Sequence, residues 1–183
     1  MPEIVKFELV GARRYVRATD VLRAIEAYTG EQDARVDFIK PLRTHAAIVE
    51  GPSGEDSPDP ASVRVTLATG RTLRLVPVRQ RAQKAGDRTA AGRRSFVLRF
   101  GRAYIVIAPF GMSALDLIET SFDRVHPSLP RRFVVRSLTR STPFTPRIRA
   151  LWFRLKVCDN VAQITMRARG ANIAHIECCV VDR

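Results

Sequence analysis

Three consecutive segments at the end of the chain alternate apolar and polar side chains, and this pattern constrains the fold more than any other feature. The segments span residues 148–157, 161–169 and 173–181, with Asp159-Asn160 and Gly170-Ala171-Asn172 between them. Alternation with a period of two is typical of strands with one buried face, and short polar or glycine-containing links are typical of turns. The pattern therefore predicts a run of antiparallel strands in the second half of the chain.

Earlier parts of the chain carry the same kind of signal. Two hairpins are predicted, one from 63–67 to 73–75 around Thr69-Gly70-Arg71 and one from 96–100 to 104–108 around Gly101-Arg102. Shorter strands are predicted at residues 4–10, 14–17, 35–39, 46–49 and 133–138. The chain is therefore expected to be rich in strands throughout its length.

Two helices interrupt these strands. Thr19 is a predicted N-cap, apolar residues follow it at helical spacing, and Gly30 stands where a C-terminal cap belongs. Ser113 and Asp116 form the capping-box pattern that opens the second helix, which is expected to end near His126-Pro127.

The predicted fold class is α+β, with antiparallel sheets and two short helices. Both halves have the predicted order strand–helix–strand–strand–strand. Either a duplication of one unit or coincidence would explain this shared order. This order resembles the hotdog and cystatin-like architectures, and the resemblance concerns the fold alone. The predicted organisation is a half at 1–78, a basic linker at 79–94 and a second half at 95–183, and the two halves can also pack as one domain.

Positive charge is concentrated in the second half. Residues 1–78 carry 11 basic and 11 acidic side chains, while the whole chain has a net charge of +13. Arginine greatly outnumbers lysine, and guanidinium groups suit phosphate recognition. This asymmetry favours a polyanionic partner, so we expect non-catalytic binding of nucleic acid or another polyanion through an arginine-rich sheet face.

The residues expected to form that face lie on predicted strands and their connections. They are Arg131, Arg132, Arg136, Arg147, Arg149, Trp152, Arg154, Lys156, Arg167 and Arg169. In the last hairpin we expect Met166 to face Ile176 on the buried side and Arg167 to lie beside His175 on the other.

Two alternatives stay open. The first is a hotdog-type acyl-thioester enzyme or acyl-binding module, in which Glu26 or Glu119 on a helix faces a strand histidine, His45 or His175. The second is an adaptor or self-assembling protein with an acidic partner. No activated nucleophile, base and oxyanion donor occur in a recognisable order, so an enzyme is the less favoured reading and no catalytic residue is assigned.

No cofactor or metal site is expected. Cys158, His175, Cys178 and Cys179 lack the spacing of zinc ligands, and no glycine-rich phosphate loop occurs. The N-terminus lacks a signal-peptide pattern and no apolar run is long enough to span a bilayer, so the expected location is the cytoplasm. The long terminal strands would leave edges to be covered, which favours a homo-oligomer.

Overall fold

The structure of the 183-residue chain is a computed structural model. It describes residues 3–7, 15–43, 45–51, 61–78, 96–101, 103–107, 113–125, 132–141, 150–158, 160–168 and 171–181. The chain divides into two compact units, Met1–Gly92 (unit 1) and Arg93–Arg183 (unit 2).

Unit 1 is one antiparallel sheet with one helix. Its elements are β1 (Glu3–Lys6), α1 (Ala18–Thr29), β2 (Ala34–Phe38), β3 (His45–Glu50), β4 (Val63–Leu67) and β5 (Thr72–Pro77). The strand order is β1-β3-β5-β4-β2. Its apolar face, called here the core face, carries buried side chains from four neighbouring strands, namely Val36, Ile48, Val63, Val65, Leu67, Leu73 and Leu75.

Unit 2 is also an antiparallel sheet with one helix, and it has one more described strand than unit 1. Its elements are β6 (Phe96–Phe100), β7 (Ala103–Ile107), α2 (Ala114–Val125), β8 (Arg132–Arg140), β9 (Ala150–Cys158), β10 (Val161–Ala168) and β11 (Ala171–Val181). The strand order is β8-β11-β10-β9-β7-β6. Its core face includes the buried side chains Tyr104, Val106, Leu138, Ala162, Ile164, Met166, Ile176 and Cys178.

The predicted fold class is confirmed: the described elements are antiparallel strands and two short helices, which make an α+β fold. The predicted hairpins 63–67/73–75 and 96–100/104–108 correspond to β4–β5 and β6–β7. Gly70 and Gly101, in the turns of these hairpins, have φ values of 85° and 58°. Glycine adopts these left-handed conformations without the steric cost that other residues incur.

The helix caps follow local chemistry, with one correction. The N-cap of α1 lies two residues before the predicted one: it is Arg17, whose backbone N–H donates to Asp20 Oδ2 at 3.3 Å. At its other end, the Gly30 N–H donates to the Glu26 carbonyl at 2.9 Å, as the predicted glycine cap requires. In α2 the predicted cap is confirmed, because the Asp116 N–H donates to Ser113 Oγ at 3.1 Å.

The strand predicted at 14–17 is wrong. Residues 15–17 belong to no strand, and Arg14 lies outside the described residues. The extended backbone here serves the helix instead: Arg17 has the β conformation of an N-cap, and the Val16 N–H donates to the Leu42 carbonyl at 2.8 Å.

The last hairpin forms, but in a different register from the one predicted. Ile164 lies opposite Ile176 and Ala162 opposite Cys178, and the register shifts between Met166 and Arg167, where β11 has the extra residue Ile173. The buried set is nevertheless right, because the slip is by two residues and an even slip keeps every side chain on its face.

Candidate functional site

The basic surface predicted from the sequence is described at four of its ten side chains. Arg136, Arg154, Lys156 and Arg167 are exposed. Arg131, Arg147, Arg149 and Arg169 lie outside the described residues, and only the backbone is described at Arg132 and Trp152.

The described basic residues do not share one continuous row. Arg154 lies opposite Thr165 and Lys156 opposite Gln163, on the face of the sheet away from the core face. No residue of β11 lies directly opposite Arg136, because the β8–β11 ladder shifts register between Glu177 and Cys178. A bulge re-aims the strand at that point.

The observed register also changes which polar side chains meet on this outer face. Thr165, not Arg167, lies beside His175, and its Oγ1 is 3.3 Å from His175 Nδ1. Arg167 lies opposite Asn172. Glu177 accepts a hydrogen bond from Ser137 Oγ on β8 at 3.5 Å. This side of unit 2 is therefore a mixed polar network and not a row of arginines alone.

The helix carboxylates and strand histidines of the acyl-thioester alternative have separate surroundings. Glu26 accepts a hydrogen bond from Gln32 Nε2 at 3.0 Å on the exposed side of α1, and Glu119 is half-buried on α2. His175 pairs with Thr165, whereas His45, at the start of β3, is buried and its Nδ1 has no hydrogen-bond partner among the described residues.

The cysteines differ sharply in environment. Cys158 is exposed at the end of β9, Cys178 is buried in the core face of β11, and Cys179 is half-buried on the opposite side. Val161 pairs with Cys158 on one side and with Cys179 on the other, so a whole strand separates these two thiols. Among the described residues, no group of three or more His, Cys, Asp or Glu side chains could hold a metal ion.

A buried hydroxyl on α2 is the polar group that sequence reasoning missed. Ser121 is fully buried, and its Oγ has no hydrogen-bond partner among the described residues. It lies on the same side of the helix as the buried residues Leu117 and Ile118. An unpaired hydroxyl in such a place is costly, so its presence needs a reason.

Comparison of α2 with α1 shows how Ser121 could have been identified from the sequence. Aligned from their first residues, α1 (ATDVLRAIEAYT) and α2 (ALDLIETSFDRV) both have aspartate third and buried aliphatic residues fourth and fifth. The eighth position is Ile25 in α1 and Ser121 in α2, and both are fully buried. Unit 2 has therefore placed a hydroxyl where unit 1 has an apolar side chain.

Comparison with known proteins gives likenesses of fold. No protein-family model matches the chain, and no curated protein matches it. Among solved structures, an acyl-ACP thioesterase from Bacteroides thetaiotaomicron is similar over 98% of this chain and 97% of its own, at 8% identity and a TM-score of 0.49. The 12:0-ACP thioesterase from Umbellularia californica is similar over 99% and 97%, at 13% identity and a TM-score of 0.47.

A third structure, a conserved protein with a hotdog fold from Alicyclobacillus acidocaldarius, is similar over 91% of this chain and 86% of its own, at 11% identity and a TM-score of 0.45. The prediction of nucleic-acid binding is contradicted, because the similar structures with named activities are thioesterases and dehydratases and not nucleic-acid-binding proteins. No helix within the described ranges is long and apolar enough to cross a membrane.

Proposed function

We propose that this chain binds an acyl thioester, with the acyl chain against the buried side of α2 and the thioester carbonyl accepting a hydrogen bond from Ser121. The observation that carries the proposal is the fully buried Ser121 hydroxyl without a partner among the described residues. Acyl-ACP, the substrate class in the names of two of the similar structures, supplies the class of ligand to test.

The surroundings of Ser121 suit this ligand. Leu117 and Ile118 lie on the same buried side of α2 and are about 1% exposed. An aliphatic chain gains free energy by leaving water for such an apolar surface. A thioester contributes one carbonyl that needs a donor, and a serine hydroxyl has one hydrogen to donate.

The cost of the unpaired hydroxyl supports the same idea. A buried polar group left without a hydrogen bond costs about 1–3 kcal/mol. At the equivalent position of α1, Ile25 avoids that cost. A ligand carbonyl that enters unit 2 would satisfy Ser121 and offset the penalty when the ligand is bound.

Binding is the function supported, rather than attack by Ser121 on the thioester. A serine nucleophile needs a base within hydrogen-bond reach to take its proton. No hydrogen bond joins Ser121 Oγ to any base among the residues that the structure describes. Its role in this proposal is therefore to hold the carbonyl.

The test is replacement of Ser121 by alanine, with acyl-CoA affinity and folding stability measured on the same preparations. Losing the hydrogen bond should weaken binding of a medium-chain acyl-CoA about tenfold. Removing an unsatisfied buried hydroxyl should leave the free energy of unfolding unchanged or raise it by about 1 kcal/mol. Affinity is read by calorimetry and stability by urea denaturation.

Ser141→Ala is the matched control, because Ser141 is exposed at the end of β8 and should change neither quantity. Unchanged acyl-CoA affinity in Ser121→Ala would contradict the proposal, as would a loss of stability that signals a structural hydroxyl. Release of free thiol, followed in the same samples, shows whether binding is accompanied by hydrolysis.

A further inference from the structure

The outer face of unit 1, away from its core face, carries three arginines on adjacent strands. Arg35 is on β2, Arg64 on β4 and Arg74 on β5, each between residues of the apolar core face. We call these three residues the arginine row. The register places Arg64 directly opposite Arg74. Side chains at directly opposed positions have Cβ atoms about 5 Å apart, so both guanidinium groups can reach one small ligand on this face.

The carboxylate on this part of the face is already engaged. Asp37 lies opposite Arg64, and both of its oxygens accept from Arg35 Nε at 3.0 Å. Three arginines therefore accompany one aspartate at the outer-face positions of these strands. Like charges directly opposite each other repel, so the Arg64–Arg74 pairing carries a repulsion that a bound anion would reduce.

Arg74 has a donor for which the described part of the chain supplies no acceptor. Its side chain is half-buried and its Nε is fully buried, with no acceptor among the described residues. A buried N–H on a charged group is expensive to leave without a partner. The unit thus holds a cationic donor in place before any ligand arrives.

Two hydroxyls complete the surroundings of the arginine row. Thr66 and Thr72 lie opposite each other on the same outer face, each two residues from an arginine of the row on its own strand. Thr66 also lies opposite Arg35. Guanidinium forks with neighbouring hydroxyl donors are the chemistry that recognises phosphate oxygens.

We infer that the arginine row of unit 1 binds a phosphate monoester, with Arg64 and Arg74 contacting its oxygens and Thr66 and Thr72 at its margin. A monoester carries a charge of about −1.5 to −2 at neutral pH, which offsets the excess of cations on this face. The monoester can belong to the nucleotide end of coenzyme A or to free inorganic phosphate. Ser121 belongs to the other unit, so this inference and the proposed function rest on different residues.

The experiment measures three probes by calorimetry at constant ionic strength: inorganic phosphate, coenzyme A, and dephospho-coenzyme A, which lacks the 3′-phosphate monoester. In the unaltered chain, phosphate and coenzyme A should bind. Arg74→Gln and, separately, Arg64→Gln should each weaken both about tenfold or more, because a hydrogen bond to a charged group is lost. Ser121→Ala should leave phosphate binding unchanged.

Thermal stability separates a binding role from a structural one. Without ligand, Arg74→Gln should melt no lower than the unaltered chain, because it relieves a repulsion. With saturating phosphate, the unaltered chain should gain melting temperature and the variant should gain far less. Arg43→Gln makes the same charge change at an exposed position outside the row and should bind phosphate normally.

Coenzyme A binding at least tenfold tighter than dephospho-coenzyme A would support the site and assign its monoester to the nucleotide. Equal affinity of those two, with inorganic phosphate still dependent on Arg74, would support the site and assign it to free phosphate. Equal weakening by Arg43→Gln and Arg74→Gln, or no phosphate binding by the unaltered chain, would overturn it.

Discussion

Single residues show both what alternation in the sequence can predict and where its information ends. Ile164, Met166 and Ile176 were assigned to the buried side, and they are buried, because alternation fixes the face of each side chain. Their cross-strand partners were wrong, because the register depends on the turn and on a bulge that no apolar pattern records.

Candidate functional sites were harder to predict from the sequence than buried positions were. Net charge directed attention to arginines of the second half, whereas the paired Arg64 and Arg74 lie in the half whose charges balance. Their proximity is a consequence of strand pairing and cannot be read from spacing along the chain. Ser121 could have been found earlier, by aligning the two helices and noticing the polar substitution at a buried position.

Cys178 makes a prediction about alkaline pH. Burial is the main cause that raises the pKa of its thiol to about 12, and repulsion from the neighbouring Cys179 and Glu177 adds to it. In the unfolded chain the thiol loses its proton near its ordinary pKa, about 8.5, so between these values the folded chain binds the extra proton. Its free energy of unfolding should fall as pH rises through that window, by up to about 1.4 kcal/mol per pH unit from this group.

The measurement compares urea denaturation of the unaltered chain and Cys178→Val between pH 8 and 10.5. All other ionisable side chains are the same in the two proteins, so the difference between them reports on the Cys178 thiol. The variant should lose less stability over this range, and superimposable pH profiles would contradict the role of the thiol.

At the scale of elements, local chemistry was a good guide to helices and hairpins. The cap at Ser113 and the glycines at the helix end and hairpin turns could be predicted from the sequence, because a few neighbouring residues determine each. The N-terminus of α1 was misplaced because Thr19 has the composition of a cap, while the reciprocal bond from Arg17 to Asp20 uses a backbone donor that any residue supplies.

The α2 cap gives a test at this scale. Ser113→Ala removes the acceptor for the Asp116 N–H, so the free energy of unfolding should fall by about 1 kcal/mol. Ser113→Asp keeps an acceptor and should recover most of that loss, as urea denaturation can measure. A Ser113→Ala variant as stable as Ser113→Asp would show that the cap is unimportant.

At the scale of the whole molecule, long terminal strands were expected to leave open edges and so to favour a homo-oligomer. β11 instead has β10 on one side and β8 on the other, and β10 is likewise paired on both sides. The edge argument therefore does not apply to these strands, and oligomerisation remains a prediction without that support.

The predicted linker at 79–94 lies outside the described residues. Limited digestion with trypsin can test it. The segment is rich in arginine and contains no bulky apolar side chain, so nothing in it favours a packed structure. The first cuts should fall within it and leave two resistant fragments, identifiable by mass. First cuts within 131–149, a stretch equally supplied with arginine, would contradict the predicted division.

The order of strands in the two sheets has a kinetic consequence. In unit 2, β9, β10 and β11 pair with their neighbours along the chain, so each pairing closes a short loop. In unit 1, β3 pairs with β5 and not with β4, the next strand in the sequence. The pairing of β3 with β5 therefore closes a longer loop that contains β4. Low contact order speeds folding because less loop entropy is lost before contacts form. The central strands of unit 2 should therefore assemble as a zipper from one turn to the next, whereas unit 1 must first form its β4–β5 hairpin as a template on which β3 docks.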